Sequence, residues 1–206
     1  GQSCALIQQL RLPPANRHTA LCILLSKPFS TQETMSRGYI HVYTGNGKGK
    51  TKAAFVLAVR AVGAGKKVFI GQFVKGKPYS ELEAVKRHLP DITVRQYGLG
   101  CFIVKKPTEE DIEAARKGLQ DIEKILRENA FDLVVLDELT IALHYRLFSL
   151  ANFISVLNKR DKSAEIVITG RYAPAGLIEL ADLVTEMKEV THYFTKGIKA
   201  RKGIEY

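Results

Sequence analysis

Thr44-Gly45-Asn46-Gly47-Lys48-Gly49-Lys50-Thr51 is the stretch of this chain whose residue types and spacing are best suited to chemistry. Its last three residues fit the Walker A pattern GxxxxGK(S/T), a glycine-rich turn whose backbone N–H groups surround phosphate oxygens. The opening place of the pattern holds Thr44 instead of glycine. In such a loop Lys50 reaches a terminal phosphate and Thr51 offers its hydroxyl to a bound Mg²⁺. The start of the following helix adds a field that favours an anion. A second group is Asp137-Glu138, two carboxylates that directly follow the apolar run Leu133-Val134-Val135-Leu136. This is the Walker B arrangement, in which one acid holds Mg²⁺ directly or through water. A third is Thr169-Gly170-Arg171, where a guanidinium with a planar fork suited to phosphate oxygens follows another β-branched run. Lys75 ends a further run in the same way. His144, beside Leu143 and Tyr145, reads as a packing residue. No residue in these places reads as an activator of water. A hydrolase needs one, whereas a transferase with a powerful incoming nucleophile needs only positioning and charge neutralisation.

These residues work together only if the chain brings them to one edge of a sheet. Strands are expected at 38–44, 67–74, 92–97, 131–136, 164–169 and 183–187. Helices are expected at 50–64, 80–89, 108–129, 150–158 and 175–182. Thr108 and Asp111 form a capping signal at the start of the third helix, acids crowd its first turn, and Lys124 and Arg127 lie near its end. Several strands are continuous apolar runs, the pattern of a sheet covered on both faces by helices. The fold expected is α/β: a three-layer, doubly wound, mostly parallel sheet of the P-loop NTPase (RecA-like) kind. In such a sheet ligands sit beyond the carboxyl ends of the strands, where all three groups fall.

The chain has 206 residues, enough for one α/β domain with a sizeable core. Residues 1–34 carry Pro13-Pro14, scattered Ser, Thr and Gln and one apolar run. They read as a leader or flexible N-terminal extension, and 35–206 as a single domain. Cys4, Cys22 and Cys101 show no CxxC spacing, so neither a disulfide framework nor a zinc site is indicated, and a cytoplasmic setting is expected. No apolar run approaches the roughly 20 residues of a membrane helix. Net charge +10, from 31 Lys and Arg against 21 Asp and Glu, calls for an anionic partner. Nucleic acid, a polyphosphate and a carboxylate-bearing cofactor all meet that description. The cluster Lys196, Lys199, Arg201 and Lys202 reads as a solvated tail.

The ordered set of TGNGKGKT, Gln72-Phe73-Val74-Lys75-Gly76, Val134 to Thr140, Thr169-Gly170-Arg171 and the closing Gly197 to Tyr206 closely resembles the ATP:corrinoid adenosyltransferases of the BtuR/CobO type. The likeness covers Gly38 to Tyr206. It implies transfer of the 5′-deoxyadenosyl group of ATP to corrinoid cobalt in its Co(I) state, with release of intact triphosphate. It further implies Mg²⁺ or Mn²⁺, a homodimer, and a flavoprotein or other reductase that supplies Co(I). No membrane or nucleic acid is expected as a partner. Carried over by position, Gly45, Asn46, Gly47, Lys48, Gly49, Lys50 and Thr51 bind ATP. Thr51 and Glu138, with Asp137 in support, hold the metal, and Lys50, Glu138 and Arg171 are the catalytic set. Two positions depart from the family pattern. Lys52 stands where many relatives have a second threonine. Gly100-Cys101-Phe102-Ile103 stands where many carry Gly-Phe-x-Trp near the corrinoid, and the chain has no tryptophan; Phe102 is the aromatic that remains for that place. The alternatives from other classes are a nucleic-acid-stimulated RecA-like ATPase, against which no RNA-binding module or aromatic-basic interleaving is found, and a nucleotide-binding regulatory subunit.

Overall fold

Six short runs of apolar and β-branched residues form strands in the computed structural model, which describes residues 37–77, 79–100, 103 and 106–206. They are β1 (Ile40–Thr44), β2 (Val68–Phe73), β3 (Ile92–Tyr97), β4 (Leu133–Asp137), β5 (Glu165–Thr169) and β6 (Leu183–Glu186). Between them lie α1 (Lys50–Gly63), α2 (Ser80–His88), α3 (Glu109–Glu128), α4 (Leu139–His144), α5 (Leu150–Asn158) and α6 (Ala175–Leu180). A 3₁₀ turn, Tyr193–Lys196, precedes the C-terminal segment. The expectations for residues 1–34 and for Phe102 fall outside the described residues.

All the strand pairs are parallel, and the order across the sheet is β3-β2-β4-β5-β1-β6. The doubly wound α/β fold is therefore the observed one, and the described sheet is parallel throughout. Successive side chains of a strand point to opposite faces, so a buried strand feeds two cores. On one face Ile70, Val135 and Val167 meet Ala54, Ala58 and Ala61 of α1 and Val85 of α2. On the other, Phe69, Phe73, Leu136, Ile166 and Ile168 meet Ile122 and Leu126 of α3 and Phe153 and Leu157 of α5. Small alanines on α1 let that helix lie close to the sheet and bring its first residue, Lys50, to the strand ends.

Local signals set the helix boundaries. Asp111 N–H donates to Thr108 Oγ1 at 3.2 Å and Thr108 N–H to Asp111 Oδ2 at 2.9 Å, the reciprocal capping box expected for α3. Asn129 ends that helix in the left-handed region. Two elements were not foreseen. They are helix α4, which begins directly after β4 with Glu138 in the left-handed region at its entry, and the 3₁₀ turn, which spans four residues.

Candidate active site

β1 ends in Thr44 and the chain turns through the loop into α1 without an intervening element. Lys50 is 7% exposed, and its ammonium folds back to donate to the carbonyls of Gly45 and Gly47, both at 2.7 Å. Burial pushes this lysine below its ordinary range, an effect that attraction to Glu138 only partly offsets. The loop is also pinned from outside. Gly47 N–H donates to the carbonyl of Met187, just beyond β6, at 2.7 Å. A Cβ at Gly47 would lie 2.7 Å from that same oxygen, so glycine is required by the contact with the 187–188 backbone.

Asp137 closes β4 and is fully buried. Its Oδ1 accepts from Thr51 Oγ1 at 2.8 Å and from Thr169 Oγ1 at 2.7 Å. Its Oδ2 accepts from Lys75 Nζ at 2.8 Å and from Gln72 Nε2 at 3.1 Å. Burial on its own would raise its pKa; the Lys75 ion pair and the hydroxyl donors outweigh that and hold it below the usual carboxylate range. One carboxylate thus ties together the ends of β2, β4 and β5 and the start of α1. Glu138 is different. Burial and the neighbouring Asp137 push its carboxyl above the usual range, against the pull of Lys75, Lys50 and Arg171. Two adjacent carboxylates therefore have opposite tendencies, the inner one locked in hydrogen bonds and the outer one facing the cleft.

The backbone at these strand ends is strained in a patterned way. Among the described residues five non-glycine residues have positive φ, and three of them, Val74, Glu138 and Tyr172, lie within three residues of the ends of β2, β4 and β5. A β-branched residue such as Val74 in the left-handed region costs about 1–2 kcal/mol. Each of these turns lies at or next to a charged residue of the site: Lys75, Glu138 itself, and Arg171. At β5 the turn also needs Gly170, at φ 137°, because a Cβ there would lie 2.3 Å from Thr140 Oγ1. Thr140 Oγ1 in turn donates to the Arg171 carbonyl at 2.7 Å and fixes the arginine's backbone.

Lys50, Thr51, Lys75, Glu138 and Arg171 line a single cleft of about 710 Å³, together with Asn46, Gly47, Lys48 and Gly49 of the loop. The structure thus brings together the site residues expected from sequence that it describes, with Gly45 and Asp137 outside the cleft lining but bonded to Lys50 and Thr51 respectively. Sequence reasoning missed the opposite wall. His192 and the C-terminal residues Gly203, Ile204, Glu205 and Tyr206 line the same cleft. The basic residues Lys196, Lys199, Arg201 and Lys202 are exposed, as expected of a solvated tail, yet the segment that carries them folds back, with Arg201 bonded to Glu205 and its guanidinium 5.2 Å from the centre of the Tyr193 ring. The available signal was the closing stretch itself, which mixes glycine, isoleucine and tyrosine in a way a solvated basic tail does not require. His144 is exposed and stacks on the exposed ring of Tyr172, ring centres 4.3 Å apart, so it forms a surface ring pair and not the packing residue expected from sequence.

A family model described as ATP:corrinoid adenosyltransferase BtuR/CobO/CobP matches residues 36–206. The chain belongs to that family. Among its relatives is a corrinoid adenosyltransferase of Escherichia coli K12, 41% identical over 171 residues, covering 82% of this chain and 86% of the relative. The corrinoid adenosyltransferase CobA of Salmonella typhimurium is 40% identical over 176 residues, 85% of this chain and 89% of its own length. A corrinoid adenosyltransferase of Pseudomonas aeruginosa is 39% identical, with 82% and 84% covered. The family assignment and the P-loop fold agree, and together they make this adenosyltransferase family member an enzyme of the transferase class. Among its described residues no helix is long and apolar enough to cross a membrane.

Proposed function

We propose that this chain transfers the 5′-deoxyadenosyl group of ATP to the Co(I) centre of a corrinoid and releases triphosphate, in cobalamin biosynthesis or salvage. The observation that carries the reading is the convergence of Lys50, Thr51, Glu138 and Arg171 on one cleft, in a chain of the ATP:corrinoid adenosyltransferase family. In the reaction a Co–C5′ bond forms, the bond between C5′ and the triphosphate oxygen breaks, and cobalt goes from Co(I) to Co(III) as it donates the electron pair. The nucleophile is strong, so the protein's tasks are to align C5′ and to neutralise charge gathering on the leaving triphosphate.

The residues supply those tasks as follows. Asn46, Gly49 and Lys50, with the backbone of Gly45, Gly47 and Lys48, form the triphosphate cradle. Lys50 and Arg171 offset its charge from two sides. The Thr51 hydroxyl and the Glu138 carboxylate are hard oxygen donors that suit Mg²⁺ or Mn²⁺. Asp137, with both oxygens already hydrogen bonded to protein, supports them by orienting Thr51. When bound, the cation adds positive charge against the leaving group. Among the described residues no three His, Cys, Asp or Glu gather as a cation cage. Phe102 is assigned to the corrinoid side. We further propose a cytoplasmic homodimer that receives Co(I) from a flavoprotein or other reductase.

The test is anaerobic. The full chain is given ATP, Mg²⁺ and chemically reduced corrinoid, and the cobalt spectrum and the phosphorus products are followed. Appearance of the alkylcobalt spectrum with unsplit triphosphate is the expected result. Orthophosphate alone, with no cobalt–carbon product, overturns the reading.

A further inference from the structure

The loop contains two lysines, and they point to different partners. Lys50 lies within the loop, on the carbonyls of Gly45 and Gly47. Lys48 turns instead toward the C-terminal segment, where its ammonium donates to Tyr193 Oη and to Glu205 Oε1, both at 2.5 Å. These partners lie 145 and 157 positions away in sequence. Tyr193 also donates its hydroxyl proton to Glu205. The Arg201 N–H donates to Glu205 Oε2 at 2.7 Å. The Tyr193 ring carries Lys48 at 5.1 Å from its centre and Arg201 at 5.2 Å. Glu205 is thus the point where loop, 3₁₀ turn and tail meet.

Two more bonds hold the tail at its edges. Lys52 of α1 donates to the Ile204 carbonyl at 2.9 Å, and Ser80, the first residue of α2, donates to the Tyr206 carbonyl at 2.9 Å. The last four residues therefore bridge α1 and α2 and form one wall of the cleft that Lys50 and Arg171 also line. Lys52, which departs from the family pattern, contributes one of these two bonds.

We propose that residues 201–206 are a strap that positions the nucleotide, latched to the phosphate loop by the Lys48–Glu205 pair, and that Lys48 acts mainly through this strap. The proposal rests on the reading that the cleft takes ATP. The strap turns an open groove at the strand ends into a walled site. It keeps water from the leaving group and narrows the orientations open to the nucleoside, which is how positioning lowers a barrier when the nucleophile needs no activation. Glu205 is a positioning residue here, since its carboxylate is occupied by Lys48, Tyr193 and Arg201.

Lys48→Ala and Glu205→Ala, singly and together, test this in the full chain, with ATP binding measured by calorimetry and turnover measured against both substrates. Each single change is expected to weaken ATP binding and raise its KM by roughly tenfold, leaving the KM for corrinoid unchanged. The double variant is expected to lose no more than either single one, because the two residues form one latch. Exchanging the charges, Lys48→Glu with Glu205→Lys, is expected to recover part of the loss. Glu205→Gln and thermal melts of each variant separate an unlatched strap from a misfolded chain. The proposal is overturned if Lys48→Ala weakens ATP binding while Glu205→Ala does not, or if the two losses multiply. Tighter ATP binding by Glu205→Ala overturns it too, since Glu205 would then be a competitor of phosphate. A chain that binds ATP through the strap but alkylates no cobalt would refute the proposed function and leave the strap standing.

Discussion

Lys50 carries the heaviest single task in the proposed site, because its ammonium is buried in the loop and held on two carbonyls at the place where phosphate is expected. Lys50→Ala removes that donor from a low-dielectric pocket, and turnover is expected to fall by roughly 10²–10³-fold. The chain should still fold, with a lowered melting temperature, as the buried Gly47 carbonyl loses its donor. Near-normal turnover would remove Lys50 from the reaction. At this scale the sequence was most informative where a residue works within its own motif. Lys50, Thr51 and the Asp137-Glu138 pair could be singled out, the first two from the loop motif and the acids from the apolar run that precedes them. The opposite tendencies of Asp137 and Glu138 could not, since they depend on Lys75 and Thr169, which arrive from other strands. Tyr193 and Glu205 were invisible for the same reason: their partner lies in the loop at the other end of the described chain.

At the scale of elements, β3 and α3 are joined at the sheet edge by one cluster. Arg95 on β3 holds both oxygens of Asp121 on α3 at 2.7 Å, and Tyr97 donates to the same carboxylate at 2.5 Å. Burial is the largest single effect on Asp121 and opposes its ionisation, but the Arg95 and Tyr97 donors together outweigh it and lower its pKa. A carboxylate with a lowered folded-state pKa contributes stability above its unfolded pKa and loses it as pH falls through the folded value. Asp121→Asn should therefore cost under about 1 kcal/mol at neutral pH, the modest size typical of a half-exposed pair. The gap from the parent should narrow as pH drops below about 4, which urea unfolding at several pH values would measure. A gap that does not change with pH would show that the ion pair is not its source. Elements of this kind were legible: the capping box of α3 and the apolar runs of β2, β4 and β5 named themselves. Helix α4 escaped because its role is set by Glu138 at its left-handed entry, a conformation that no residue type at that place announces.

Across the whole molecule, sheet order explains why distant motifs act as one site. β5 lies between the loop strand β1 and the acid strand β4, and its Thr169 donates to the same Asp137 oxygen that Thr51 reaches. Any displacement of β5 would move the phosphate loop and the acids apart together. Pattern reasoning reached the parallel, two-sided sheet because both of its faces are apolar. It did not reach the return of the C-terminus, because the tail is bound by a few polar contacts that leave no periodic trace.

The left-handed backbone at the strand ends has a further implication for how durable this protein can be made. Arg146 shares that conformation, at φ 57°, but it is exposed and lies in the turn after α4, outside the nucleotide cleft. Arg146→Gly should therefore raise the melting temperature by roughly 2–4 °C, the shift expected for about 1 kcal/mol in a chain of this length. The same exchange at Val74 or Glu138 would relax the turn that aims a charged group. Thermal hardening and catalytic competence are thus separable at one of these turns and opposed at the others, and a selection for heat resistance alone would be expected to erode the enzyme at its strand tips first.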